Sequence, residues 1–253
     1  MAIFGKKNKR QSQTGEVELG VVGSETPFAI REAYKALYTN ILYLNIESAC
    51  KKIAITSAVS GESKTTVSVN LAVAFAQNAA DKRILLVDTD MRQPKVAKLL
   101  SLDKKLHGLS EYLAGIDEAP NFIELEEYGI TVLTAGGSNV NPTQLMGSKR
   151  MEDFLKSCEG KFDYVFIDTP PINVVTDAML LNGKIDGYVI ATRADYSFTT
   201  AIGECVESLE RTGATIFGFV LSSLRLKTSG GKYGKYGKYG KYGRYGRYGK
   251  YAK

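Results

Sequence analysis

Six short apolar runs set the frame of this chain: Lys52–Ser57 (KIAITS), Arg83–Asp88 (RILLVD), Ile130–Thr134, Asp163–Asp168 (DYVFID), Gly187–Thr192 (GYVIAT) and Ile216–Leu221 (IFGFVL). They are continuous rather than alternating, which predicts strands buried on both faces. Helical patterns lie among them. Lys64–Ala79 carries Val67, Leu71, Ala74 and Phe75 on one face, and Lys149–Cys158 and Phe198–Arg211 follow. Ahead of the first run, Pro27 is placed to open a helix, and Phe28–Asn45 has Ile30, Ala33, Tyr34, Leu37, Ile41 and Leu44 at helical spacing. Buried strands alternating with helices predict an α/β fold, a parallel sheet with helices on both faces. Such sheets bind ligands beyond the carboxyl ends of their strands.

With 253 residues and 44% hydrophobic content, the chain supports one sizeable domain. No apolar run approaches the roughly 20 residues of a membrane span. Met1–Arg10 places only Ile3 and Phe4 before Lys6, Lys7, Lys9 and Arg10, which is not the order of a secretory signal. A cytoplasmic protein is therefore expected, reaching the membrane only through a partner. Cys50, Cys158 and Cys205 are far apart and odd in number, so they read as reduced thiols. His107 is the only histidine, which excludes a His-based triad and reads as a solvated loop residue.

Charge divides the chain. The net +6 falls to −2 once the eight cations of residues 232–253 are set aside, and to −6 without the four of the first ten residues. An acidic body thus carries two basic tails. The expected boundaries are a disordered basic stretch over 1–15, a folded domain over 16–229 and a mobile tail over 230–253. That tail repeats Gly-(Lys/Arg)-Tyr with no aliphatic residue until Ala252, so it cannot bury a core, and without proline it cannot form a collagen helix.

Three segments at strand ends carry chemistry. The first, Ser57–Thr66, joins a strand to a helix. Binding a polyphosphate takes backbone N–H groups facing a concavity, a lysine for the β and γ phosphates and a hydroxyl for magnesium. Ser60, Gly61, Glu62, Ser63 and Thr66 would supply backbone, Lys64 the cation and Thr65 the hydroxyl. Ala58 and Ser63 stand where the strict phosphate-loop pattern has glycine. The second segment ends in Asp88-Thr89-Asp90, two carboxylates that can face one site on a turning loop, although such pairs also cap helices. The third, Val165–Pro171 (VFIDTPP), puts Asp168 after four apolar strand residues, as expected of a second magnesium partner.

Taken in order and spacing, GESKTT, LLVDTDMRQP and VFIDTPP resemble the bacterial tyrosine kinases of capsule and exopolysaccharide synthesis, in particular the free cytoplasmic kinases of Gram-positive bacteria. The stretches Gly108–Gly115 (GLSEYLAG), Leu133–Gly136 (LTAG) and Asn141-Pro142 also match, and the likeness spans about residues 20–225. It implies a P-loop NTPase-type domain using ATP and Mg2+, with Lys64, Thr65, Asp88, Asp90 and Asp168 as the motif residues. On chemical grounds Lys64 would neutralise phosphate charge, with Thr65 on the metal directly and Asp168 through water. Asp88 would be the general base and Asp90 would join the metal shell, a division open to reversal. The resemblance also implies a membrane-anchored activator, of the polysaccharide co-polymerase class, and self-association into a ring. The family's Glu-x-x-Arg-x-x-Arg assembly motif reads here Glu32, Lys35 and Tyr38, and neither replacement reproduces arginine's bidentate pairing. Ser222 stands near where related ATPases have an asparagine for adenine.

Tyr233, Tyr236, Tyr239, Tyr242, Tyr245, Tyr248 and Tyr251 are the expected phosphoacceptors, each beside a glycine or an alanine. Each phosphate adds ~1.5–2 negative charges, so a few would invert the tail's sign. Alternating cations and rings are also what a nonspecific nucleic-acid binder uses. A ParA/MinD-type ATPase shares the expected sheet and loop, but its second lysine early in the loop is missing between Ala58 and Ser63.

Overall fold

A computed structural model of the protein describes residues 20–44, 46–103, 105–138 and 140–222. The expectations for stretches 1–15 and 230–253, including all seven tail tyrosines, lie outside the described residues. The strands are β1 (Lys51–Ser57), β2 (Ile84–Asp88), β3 (Ile123–Leu125), β4 (Ile130–Leu133), β5 (Tyr164–Asp168), β6 (Gly187–Arg193) and β7 (Ile216–Ser222). The helices are α1 (Phe28–Leu42), α2 (Lys64–Asn78), α3 (Val96–Leu99), α4 (Leu109–Leu113), α5 (Pro142–Met146), α6 (Lys149–Ser157) and α7 (Thr199–Arg211), with a 3-10 turn at Asp177–Leu181.

The sheet runs in the order β3-β4-β2-β5-β1-β6-β7. All pairs are parallel except β3 with β4. The expected all-parallel sheet is thus mixed. A tight turn closed by the Gly129 N–H on the Leu125 carbonyl, with Gly129 at φ 68°, folds three residues back onto the edge of β4. Such a run is too short to show a period, and antiparallel edge strands are common on sheets of this kind.

Alternation along the strands divides the core. Ile53, Ile55, Leu86 and Phe166 pack with Val67, Leu71 and Phe75 of α2 on one face. Ala54, Val87, Val165 and Ile190 pack with Phe154, Leu155, Cys205 and Leu209 on the other. Contrary to the one-sided pattern expected, α2 is buried nearly all round from Val67 to Phe75. Its outer face is covered by α1 and by the Gly20–Val22 segment. Tyr38 meets Phe75 edge-on at 4.8 Å, and Asn70 accepts from the Val22 N–H at 2.6 Å and donates to the Gly20 carbonyl at 3.2 Å. Pro27 stands just before α1 rather than inside it, and the helix stops at Leu42, three residues short of the expected end.

The GLSEYLAG and LTAG stretches close on each other. Glu111 accepts from the Gly108 and Gly137 N–H groups, both at 2.8 Å, and Ser110 Oγ accepts from the Ser138 N–H at 3.0 Å. A Cβ at Gly108 would lie 2.2 Å from the Thr134 carbonyl oxygen, and one at Gly136 1.9 Å from Glu111 Oε2. Only glycine allows this approach. The clasp fixes the loop leaving β4, beside the carboxyl end of β2.

Candidate functional site

The carboxyl ends of β1, β2 and β5 meet at the start of α2. After Ser57 the backbone loops over Ala58, whose methyl is fully buried in the core, so this position does not call for glycine. Two later positions adopt left-handed backbone: Gly61 at φ 89° and Ser63 at φ 67°, ψ 20°. Ser63 is the residue before the helix, and a side chain in that conformation costs roughly 1–2 kcal/mol. The weak match to the strict glycine pattern therefore conceals the conformation that pattern encodes, with one glycine replaced at an energetic cost.

Glu62 holds the loop from beneath. Its Oε2 accepts from the Val59 N–H at 2.9 Å, and its Oε1 accepts from the Ser197 hydroxyl. Ser197 Oγ in turn accepts from the Arg193 N–H at 2.7 Å, and Tyr196 Oη donates to the Ser60 carbonyl at 3.0 Å. The segment between β6 and α7 thus braces the phosphate loop. Glu62 is 1% exposed, so only its backbone is left to face a ligand. Ser197 and Tyr196 lie some 135 residues beyond the loop and carry no sequence signal other than their place at a strand's carboxyl end.

Lys64 Nζ is 2.6 Å from Asp90 Oδ2, with both side chains buried. Thr65 Oγ1 donates to Asp168 Oδ2 at 2.7 Å, and Ser68 Oγ donates to Asp168 Oδ1 at 2.9 Å. Ser68 lies one turn along α2 from Thr65, a placement that helical spacing alone carries. Asp88 is fully buried, and its two oxygens accept the Asp90 N–H at 3.1 Å and the Val96 N–H at 3.2 Å. Burial, then the neighbouring Asp168 carboxylate, pushes the Asp88 carboxyl well above the usual carboxylate range. Burial raises Asp168 as well, against Lys64 and the Thr65 and Ser68 hydroxyls. Burial alone would lower the Lys64 ammonium, but Asp168 and Asp90 outweigh it and hold its pKa up.

Three buried carboxylates therefore face one lysine. That surplus of negative charge in a low-dielectric site is the environment a divalent cation relieves. Among the described residues no three His, Cys, Asp or Glu side chains form a metal cage. This donor set, with a hydroxyl, few carboxylates and room for water and phosphate oxygens, suits Mg2+, which is rarely caged by protein alone. The residues present fit the group.

A small cleft opens over Lys64 and Asp90. Arg92 and Lys95 line it from the loop after β2, and Pro171, Val174 and Val175 from the segment after β5. Arg92 is held by Asp177, at 2.7 and 3.2 Å, and by the Thr143 hydroxyl at 3.0 Å. The sequence-predicted Lys64, Thr65, Asp88, Asp90 and Asp168 are thus brought together, with Ser60–Ser63 and Thr66 beside them. Ser222 Oγ instead donates to the Thr192 carbonyl at 3.1 Å, within the sheet.

Residues 50–213 match a family described as an AAA domain (AAA_31). Tyrosine-protein kinase CpsD of Streptococcus pneumoniae serotype 4 is 35% identical over 199 residues, covering 78% of this chain and 86% of that protein. The solved kinase domain of Escherichia coli tyrosine kinase ETK superposes with a TM-score of 0.73 at 30% identity, covering 79% of this chain and 78% of that one. The septum site-determining protein MinD of Pyrococcus horikoshii OT3, solved with Mg-ADP, shares the fold at a TM-score of 0.58 and 24% identity, over 71% and 72% of the two chains. By sequence relationship, by fold and by the residues gathered at its sheet edge, the chain belongs to the bacterial tyrosine-protein kinases.

Proposed function

We propose that the protein transfers the γ-phosphoryl group of ATP to tyrosines, those of its own 233–251 segment first, in control of capsular or exopolysaccharide synthesis or export. The observation that carries this reading is the convergence of Lys64, Thr65, Asp90 and Asp168 on the amino end of a buried 15-residue helix. Mg2+ bound with ATP would offset the charge of the phosphates and of the buried carboxylates. The loop N–H groups and the positive end of α2 hold the phosphates. Lys64 exchanges Asp90 for phosphate oxygens. Thr65 and Asp168, joined at 2.7 Å, would hold the cation. Ser68 keeps Asp168 turned toward Thr65.

Asp88 has both oxygens committed to backbone N–H groups, whereas Asp90 pairs with Lys64 and lines the cleft. We therefore assign the proton-accepting part to Asp90 and the shaping of its loop to Asp88, reversing the division that the sequence favours. The tyrosine oxygen forms the new P–O bond, ADP leaves with the electrons of the broken one, and the phenolic proton passes to Asp90. No helix among the described residues is long and apolar enough to cross a membrane. We assign recruitment and activation to a membrane-protein partner, as the resemblance implies.

The test is an anti-phosphotyrosine blot of the full chain with ATP and Mg2+, alone and with the partner's cytoplasmic segment. Wild type becomes labelled, and Lys64→Ala and Asp90→Asn lose at least about 100-fold in rate. Labelling that survives Lys64→Ala, or a wild type silent under both conditions, contradicts the assignment.

A further inference from the structure

Resting on the kinase reading above, we propose that Pro171, Val174 and Val175 form the subsite for the acceptor's aromatic ring, and that Lys95 opposite them repels the cation preceding it and so turns the ring toward this wall. The occupant is a tyrosine of the Gly-(Lys/Arg)-Tyr repeat.

The wall is apolar and firmly held. Thr56 Oγ1 donates to the Pro170 carbonyl at 2.9 Å, the Ile172 N–H to the Ser57 carbonyl at 2.9 Å, and the Asn173 N–H to the Ala58 carbonyl at 3.2 Å. The segment is thus tied to the same strand end that launches the phosphate loop. On this fixed backbone Val174 is 57% exposed, an aliphatic side chain presented at the mouth of a cleft whose floor holds Asp90 and Lys64. A serine or threonine hydroxyl reaching Asp90 would leave that surface wet. A tyrosine covers it with its ring while presenting its oxygen beyond, which selects an aromatic acceptor.

Charge favours the same occupant. Residues 11–231 carry −6, against eight cations and no acid over 232–253. Across the cleft Asp177 neutralises Arg92, while Lys95 is exposed. Each tail tyrosine follows a lysine or arginine, so the cation enters beside the ring and is repelled from the Lys95 rim.

The experiment uses the full chain with its seven tail tyrosines changed to alanine, so that it cannot be its own acceptor. A synthetic peptide of residues 230–253 is the substrate at saturating Mg-ATP, with the partner's cytoplasmic segment present. Val174→Ala is expected to raise the peptide KM about three- to tenfold, with kcat and Mg-ATP affinity within about twofold. Val174→Ile keeps the wild-type KM, and Lys95→Glu lowers it. Because Val174 and Lys95 are exposed, these changes leave the fold intact. An unchanged peptide KM in Val174→Ala, or an equal loss of Mg-ATP affinity, overturns the subsite while leaving the kinase reading standing. Absence of peptide phosphorylation by the parent chain, with Mg-ATP binding intact, overturns the kinase reading and the subsite with it.

Discussion

Ser63 occupies the left-handed position just before α2, where glycine would sit without strain. Ser63→Gly should relieve about 1 kcal/mol and raise the melting temperature by roughly 2–4 °C for a chain of this size, read by calorimetry. A lower melting temperature would show that the serine side chain contributes more than its backbone costs. Glu62 makes the opposite case. Its carboxylate is buried and accepts from Val59 and Ser197, so Glu62→Ala leaves the Val59 N–H and the Ser197 hydroxyl proton without that acceptor. A stability loss of about 1–3 kcal/mol in chemical denaturation is expected, with weakened nucleotide binding. Lys64, Thr65 and Asp168 were legible from sequence because loop chemistry demands those residue types at that spacing. The brace from Tyr196 and Ser197 was not, because only folding brings the end of β6 beside a loop 135 residues earlier.

At the scale of elements, continuous apolar runs located six of the seven strands among the described residues, since burial on both faces leaves a plain signature. β7 departs from that expectation: as an edge strand it leaves Phe219 and Leu221 exposed. The missed pieces, β3, α3, α4, α5 and the 3-10 turn, span three to five residues each, less than two turns of any period. Two sequence features acquire a structural meaning. The GLSEYLAG and LTAG stretches form the Glu111 clasp, so Glu111→Ala should destabilise the domain by about 2–3 kcal/mol through loss of charge-assisted bonds to Gly108 and Gly137. Equilibrium unfolding measures this, and a change under about 0.5 kcal/mol would place the clasp outside the stabilising core. Tyr38, in place of the family's second assembly arginine, packs on Phe75 and donates to the Asn78 carbonyl at 3.4 Å. It serves the α1–α2 contact within one chain.

Across the whole molecule, the single histidine provides a clean probe of surface electrostatics. His107 Nδ1 lies 3.0 Å from Asp117 Oδ2, and the hydrogen bond and charge of Asp117 raise its pKa above the ordinary value. A raised folded-state value means the pair stabilises the fold below the unfolded pKa of about 6.5, and that contribution disappears as pH rises through the folded value. An NMR titration of the one imidazole should give a higher midpoint in wild type than in Asp117→Asn, and equal midpoints would contradict the pairing. The division into an acidic body and basic tails, plain in the sequence, gives the central claim its most direct measurement. That measurement is mass-spectrometric mapping of phosphate after the full chain is incubated with ATP and Mg2+, with the proposed membrane partner's cytoplasmic segment present. Phosphotyrosine at several of residues 233–251, abolished in Lys64→Ala, is the predicted result. An unmodified tail in a chain that hydrolyses ATP and binds nucleic acid through residues 230–253 would contradict it.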